Sequence, residues 1–140
     1  MRACAVIATL LLTCCTSPHQ IVVTDVNATA WRDSTVVVLR NSDTLTRREV
    51  RILVRSNTEF VGDTLSLCIA TTAPDSVRYA EHFTLVIPRN RYAASVRRQA
   101  DIPYRFDVVL ADTGNYQFVF RPVRSVRGIE AVGIHILNKD

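Results

Sequence analysis

Three histidines and four cysteines are the first places to look for nucleophilic or metal chemistry in this 140-residue chain. His19, His82 and His135 stand far apart, and no two of the His, Cys, Asp and Glu residues show metal-ligand spacing. Cys4, Cys14 and Cys15 lie in the first fifteen residues, so Cys68 alone belongs to the body of the chain, and no Cys–His pairing is legible. There is no Gly-x-Ser-x-Gly nucleophile elbow and no glycine loop to cradle a phosphate. Carboxylates on distant strands could still form a glycosidase-like pair, although nothing points to one. In Gly133-Ile134-His135-Ile136-Leu137, His135 shares a face with Gly133 and is predicted to point outward as a surface residue. The reading is therefore of a non-enzyme with no catalytic residues, no metal and no cofactor.

The first segment has a different chemistry. Arg2 precedes the apolar run Ala5 to Leu12, which has the layout of a secretory signal peptide. The run is too short to span a bilayer, which takes about 20 apolar residues. Leu12-Thr13-Cys14-Cys15 resembles a bacterial lipobox, with Leu12 at −3, small residues at −2 and −1, and Cys15 as the lipidated residue. Choosing Cys14 would put bulky Leu12 at −2. An ordinary signal peptide is the alternative, but no Ala-x-Ala-like site follows the run. Two or more acyl chains, at about 0.8 kcal/mol per buried methylene, hold a protein on a membrane stably. The expected organisation is a lipoprotein signal peptide over 1–14, the lipidated Cys15 and a tether over 15–20, and one domain over 21–140. Cleavage before Cys15 leaves Cys68 without a disulfide partner. Its alternating neighbours make it a half-buried small hydrophobe.

Charge is the remaining chemical signal. There are 17 basic and 13 acidic residues, a net +4, and 16 of the basic ones are Arg. Arg47-Arg48, Arg89 with Arg91, Arg97-Arg98, and Arg121, Arg124 and Arg127 could form a basic surface. Export argues against nucleic acid as the partner, and no aromatics interleave with these arginines at stacking spacing. Solvated strand faces and edge protection account for them, with contact to anionic lipid head groups or an acidic partner as the second reading.

The elements that must carry these residues read as strands. Period-2 alternation or β-branched runs recur at Ile21–Thr24, Ser34–Arg40, Arg48–Arg55, Asp63–Thr71, His82–Ile87, Arg105–Leu110, Tyr116–Arg121 and Glu130–Leu137. Phe106, Val108 and Leu110 are expected inward, and Arg105 and Asp107 outward. Only Tyr92–Gln99 allows a helical reading. Eight short strands with frequent turns predict an all-β, antiparallel Greek-key or jelly-roll-like sandwich. The Leu110-x-Asp112-x-Gly114-x-Tyr116 spacing supports this as a tyrosine corner. Tyr116 would bond back to backbone, Gly114 would supply positive φ, and Asp112 a side-chain bond to the turn.

Asp33-Ser34-Thr35, Asp43-Thr44-Leu45, Asp63-Thr64-Leu65 and Asp75-Ser76-Val77 resemble the short O-glycosylation pattern of exported Bacteroidetes proteins. The same pattern is also how a turn feeds a strand.

The C-terminal run Arg124-Ser125-Val126-Arg127-Gly128-Ile129-Glu130-Ala131-Val132-Gly133-Ile134-His135-Ile136 resembles the signature of the gliding-motility lipoprotein family GldH. Trp31-x-Asp33-Ser34, Pro74-Asp75 and Gly114-x-Tyr116-x-Phe118 resemble its other short motifs, so the likeness spans essentially the whole chain. The chain departs from the family at Arg89–Ser95, where members often carry Trp and Gly, and at Val123, where they often carry Met. The resemblance implies a Bacteroidetes envelope lipoprotein; with no acidic residue in Thr16-Ser17-Pro18-His19-Gln20 after Cys15, the expected location is the outer membrane with the domain facing the periplasm. The resemblance also implies an accessory role, through protein–protein contacts, in gliding motility and the type IX secretion machinery. It implies no catalytic residues. The interaction surface would involve Trp31, Arg124, Arg127, Gly128 and Ile129, with Trp31 equally open to a core role. Expected partners are the membrane, through the N-terminal lipid, and other envelope proteins. Neither nucleic acid nor a small-molecule substrate is expected. The alternative is a carbohydrate-binding or carbohydrate-processing lipoprotein, which would need a row of exposed aromatics drawn from Tyr79, Tyr92 and Tyr104.

Overall fold

The computed structural model describes residues 19–88 and 97–139. Eight strands form in order: β1 (His19–Asp25), β2 (Thr35–Asn41), β3 (Arg47–Asn57), β4 (Thr64–Thr72), β5 (Arg78–Val86), β6 (Arg97–Val109), β7 (Gly114–Pro122) and β8 (Ile129–Asn138). One sheet has the order β1-β8-β3-β6 and the other β2-β7-β4-β5, with every pairing antiparallel. The neighbours β1–β8, β2–β7, β3–β6 and β4–β5 are those of one long hairpin, folded at β4–β5 and then rolled into two sheets. This is the jelly-roll winding of a β-sandwich.

Alternation explains why these segments pair. Val50, Ile52 and Val54 on β3 and Val132, Ile134 and Ile136 on β8 meet Leu65, Leu67 and Ile69 on β4 and Tyr116, Phe118 and Phe120 on β7 in one buried cluster. A one-residue slip in any of these strands would turn its apolar set to water, so the register is strongly specified.

The two open sides of the sandwich are closed by different means. Along β1 and β2, Gln20 Nε2 donates to Arg40 O (3.1 Å) and Thr24 Oγ1 to Val36 O (3.2 Å), occupying carbonyls on the β2 edge. Along β5 and β6, the Glu81 carboxylate accepts from the Tyr104 hydroxyl and the Arg105 guanidinium, which link the sheets. Phe83 packs edge-on against Tyr104, with ring centroids 5.0 Å apart.

The strand directions sort the connections into two ends. The end where β1 begins carries loop 42–46, turn 73–77 and loop 110–113; the far end carries loop 26–34, turn 58–63 and loop 123–128. The Asp-Ser/Thr segments feed strands in two of these turns. Asp43 accepts from the Leu45 and Thr46 N–H groups (3.0 and 3.1 Å), and Asp75 from that of Val77 (3.0 Å). The Thr46 hydroxyl, ahead of those backbone donors, holds the Asp43 carboxyl well below the usual carboxylate range.

Several expectations are corrected. β5 starts at Arg78, four residues before the expected His82. Arg97–Gln99 belong to β6 and not to a helix, while residues 92–96 lie outside the described residues. Phe106 points to solvent (62% exposed), because β6 has one residue more than β3 between the pairs Arg51–Pro103 and Val50–Arg105, which sets Arg105 opposite the inward-facing Val50 and Phe106 on the outer side. A second extra residue between Val50–Arg105 and Arg48–Val108, with Asp107 at φ 55°, then restores the inward phase at Val108. The tyrosine corner forms, with the Asp112 N–H donating to the Tyr116 hydroxyl (3.2 Å) and Gly114 at φ 131°. The Asp112 carboxylate makes no bond to this turn. Instead the buried Asn41 amide donates to Leu110 O (2.9 Å) and Asp112 O (2.8 Å).

Candidate functional site

The sequence singled out Trp31 and the stretch from Arg124 to Ile129, and the fold brings them together at the far end. Trp31 pairs with Val126 through two backbone bonds, Trp31 N–H to Val126 O (2.8 Å) and Val126 N–H to Trp31 O (2.9 Å). The Gly128 N–H donates to Ala28 O and the Asn57 N–H to Gly128 O, both at 2.8 Å. Loop 123–128 is thus held between loop 26–34 and the turn after β3. Asn57 continues the frame, accepting from the Glu59 N–H on its side-chain oxygen (2.9 Å).

These ties leave a cleft of about 640 Å³ between turn 59–62 and loop 123–127, with Ser66 of β4 in its wall. Arg127 forks onto Glu59, Nε to Oε2 at 3.1 Å and Nη2 to Oε1 at 3.3 Å. Both side chains are about half exposed or more, so this pair is worth at most about 1 kcal/mol. A ligand carboxylate can displace Glu59 at little cost. Arg124 is exposed in the same wall and has no carboxylate partner among the described residues. Val123, 52% exposed, adds an apolar edge. The arrangement suits an extended acidic segment with an apolar side chain.

The five expected interaction residues divide by depth. Arg124 and Arg127 reach the surface. Trp31 is 2% exposed and belongs to the core; its indole N–H donates to Asp33 O (3.0 Å) and Thr35 Oγ1 (3.1 Å). Ile129 is fully buried. Gly128 sits at φ 89°, where an added Cβ would lie 2.1 Å from the Phe60 nitrogen. Trp31, Gly128 and Ile129 are therefore buried and do not themselves present a surface. Cys15 lies outside the described residues.

The arginines do not gather into one basic face. Arg47 pairs with Asp107 (3.0 Å) and Arg48 is buried against Asp43 at the β1-start end, whereas Arg121, Arg124 and Arg127 lie at the far end. Arg89 and Arg91 lie outside the described residues.

A second concavity, about 470 Å³, lies on the outer face of the β2-β7-β4-β5 sheet and holds a pair absent from the sequence reading. Cys68 Sγ is 3.4 Å from His82 Nδ1, with Arg121 in the same wall. Cys68 is half-buried, as expected, but it is not isolated from histidine. The signal was available in the Pro74-Asp75 turn. A hairpin closed there pairs Thr72 with Arg78 and, counting back, Cys68 with His82. Starting β5 late hid that register.

His135 points outward as expected, yet its side chain is only 14% exposed, and Nδ1 lies 2.7 Å from Asp101 Oδ2. Among the described residues no three His, Cys, Asp or Glu side chains group to hold a metal ion. Of the aromatics named for glycan stacking, Tyr79 is exposed, Tyr104 is buried beside Glu81, and Tyr92 lies outside the described residues. No protein-family model matches the chain, and no curated protein matches it.

Proposed function

We propose that this chain is a lipid-anchored protein of a bacterial envelope that acts without catalysis, by holding another envelope protein in its far-end cleft. The observation that carries the reading is Cys15, placed behind a short apolar run and four residues ahead of β1. An anchor so close to a rigid sandwich leaves the domain to work as a fixed docking body. Arg124, without a carboxylate partner among the described residues, supplies charge in the cleft wall for an acidic partner segment. The resemblance of the C-terminal run to the gliding-motility lipoprotein family GldH supports an accessory place in a motility or type IX secretion assembly. The absence of acidic residues in Thr16-Ser17-Pro18-His19-Gln20 supports the outer membrane with a periplasm-facing domain as the chain's location.

Metabolic labelling with palmitate in a bacterium that processes lipoproteins tests the anchor. The wild-type chain and Cys14→Ser are expected to take the label and fractionate with membranes. Cys15→Ser is expected to lose the label and leave the membrane fraction. A Cys15→Ser variant that keeps its label would overturn the reading. Crosslinking in the native host then tests the partner: an adduct mapped to loop 123–127 supports docking, and a clean monomer in the intact envelope counts against it.

A further inference from the structure

The fold sets which end of the sandwich an N-terminal anchor must face. His19 begins β1 at the end that carries loop 42–46 and turn 73–77, four residues from Cys15. Four residues reach at most about 14 Å when fully extended. The other end of β1, at Asp25, is about 20 Å further on. Large apolar side chains stand in water at both ends, Val61, Val86 and Val123 at the far one, and the near end adds its own set. Leu45 is 86% exposed, Val77 65%, Phe106 62% and Val109 44%. They come from three separate segments: the β2–β3 loop, the β4–β5 turn and the bulged end of β6. No single strand pattern accounts for them. Phe106 is there because the register shift between β6 and β3 turns it outward, away from the core that its alternation predicts.

Charge at this end has a matching layout. Arg40 lies next to the end of β2, Arg78 begins β5 and Lys139 follows β8; all three are exposed and none has a carboxylate partner among the described residues. Three of the acids nearby are engaged: Asp43 in its own turn and with Arg48, Asp75 on Val77 N–H, and Asp107 with Arg47, which leaves Asp112 in loop 110–113 as the exception. Apolar tips ringed by free cations are what the interface of a bilayer with anionic lipid takes up.

We propose that the β1-start end of the sandwich rests on the membrane surface, with Leu45, Val77, Phe106 and Val109 dipping below the head groups and Arg40, Arg78 and Lys139 among the anionic ones. This rests on lipidation at Cys15, and it directs the Arg124–Arg127 cleft away from the bilayer, open to a partner. The lipid therefore fixes the orientation of the domain as well as its location.

The test uses the full lipidated protein reconstituted in vesicles of three parts phosphatidylethanolamine to one part phosphatidylglycerol. Nitroxide labels are placed singly by Leu45→Cys, Phe106→Cys, Val38→Cys and Val86→Cys in a Cys68→Ser background. The ratio of collisions with oxygen to collisions with a water-soluble nickel chelate is then read at each site. Labels at 45 and 106 are expected to give a ratio at least fivefold above those at 38, on the outer sheet face, and 86, at the far end. Equal ratios at all four positions overturn the proposal. Spin–spin broadening between labels at 106 would assign the face to a second copy of the chain and also overturn it. Protein that does not float with the vesicles would sink the anchor together with the orientation, whereas floating protein with equal ratios sinks the orientation alone.

Discussion

At the scale of single residues, the C-terminal run that carries the family resemblance is explained by packing. Gly128 holds φ 89°, and a side chain there would drive into the backbone of Phe60. Gly133 lies under β1, where a Cβ would sit 2.3 Å from Val22 O. Both positions let one backbone pass close over another. Gly128→Ala is expected to destabilise the domain by roughly 3 kcal/mol. The control is Gly62→Ala, whose Cβ would make an ordinary 3.4 Å contact with the Phe60 ring. Urea denaturation of the two variants checks this; equal midpoints would refute it. The arginines of the same run answer to a different constraint, since Arg124 and Arg127 contribute nothing to the core and are exposed in the cleft wall.

At the scale of elements, the open side between β5 and β6 depends on a polar clamp where apolar packing is thin. Burial, and then the hydrogen bond to Glu81, raise the Tyr104 phenol above its usual value of 10.0. A raised folded-state value means that the native protein keeps the proton at pH values where the unfolded chain has lost it. The stability contributed by this group is therefore complete below about pH 10 and declines as pH rises above that. Tyr104→Phe removes the titrating group while keeping the ring against Phe83. It is expected to be less stable than wild type by about 1–2 kcal/mol at neutral pH, from the lost bond to a charged acceptor. Its alkaline decline is expected to be shallower. Thermal melts from pH 7 to 11 check both parts, and parallel curves for the two proteins would contradict the assignment. The same pair of strands shows how an element escapes sequence reading. β5 turns Tyr79 and Glu81 toward the clamp where aliphatic residues would mark an inner face, so its first half does not read as a strand.

At the scale of the whole molecule, the winding separates two ends with different surfaces. The β1-start end carries Leu45, Val77, Phe106 and Val109 exposed beside Arg40, Arg78 and Lys139; the other carries the cleft. The rolled hairpin is responsible, because β1 and β8 lie side by side and the loops gather at the two ends of the sandwich. Arg124→Glu places a like charge before an acidic partner while touching no buried contact. Its melting temperature is expected to match wild type, a stability change within about 0.5 kcal/mol. The crosslink to loop 123–127 is expected to fall at least tenfold in the native host. An undiminished adduct would move the docking surface elsewhere.

What the sequence determined by itself is what alternation and local turn chemistry can carry. Eight strands, their inner faces on β3, β4, β7 and β8, and the tyrosine corner at Gly114 and Tyr116 all depend on neighbours within a few residues. What depends on register or on contacts far along the chain was decided only by the tertiary structure. Trp31 becomes core because Val126, 95 residues away, pairs with it. Phe106 becomes surface because of the register shifts between β6 and β3, and Cys68 meets His82 because the β4–β5 hairpin closes at residues 73–77. Cross-strand register is a property of two segments together, and neither segment's own pattern contains it.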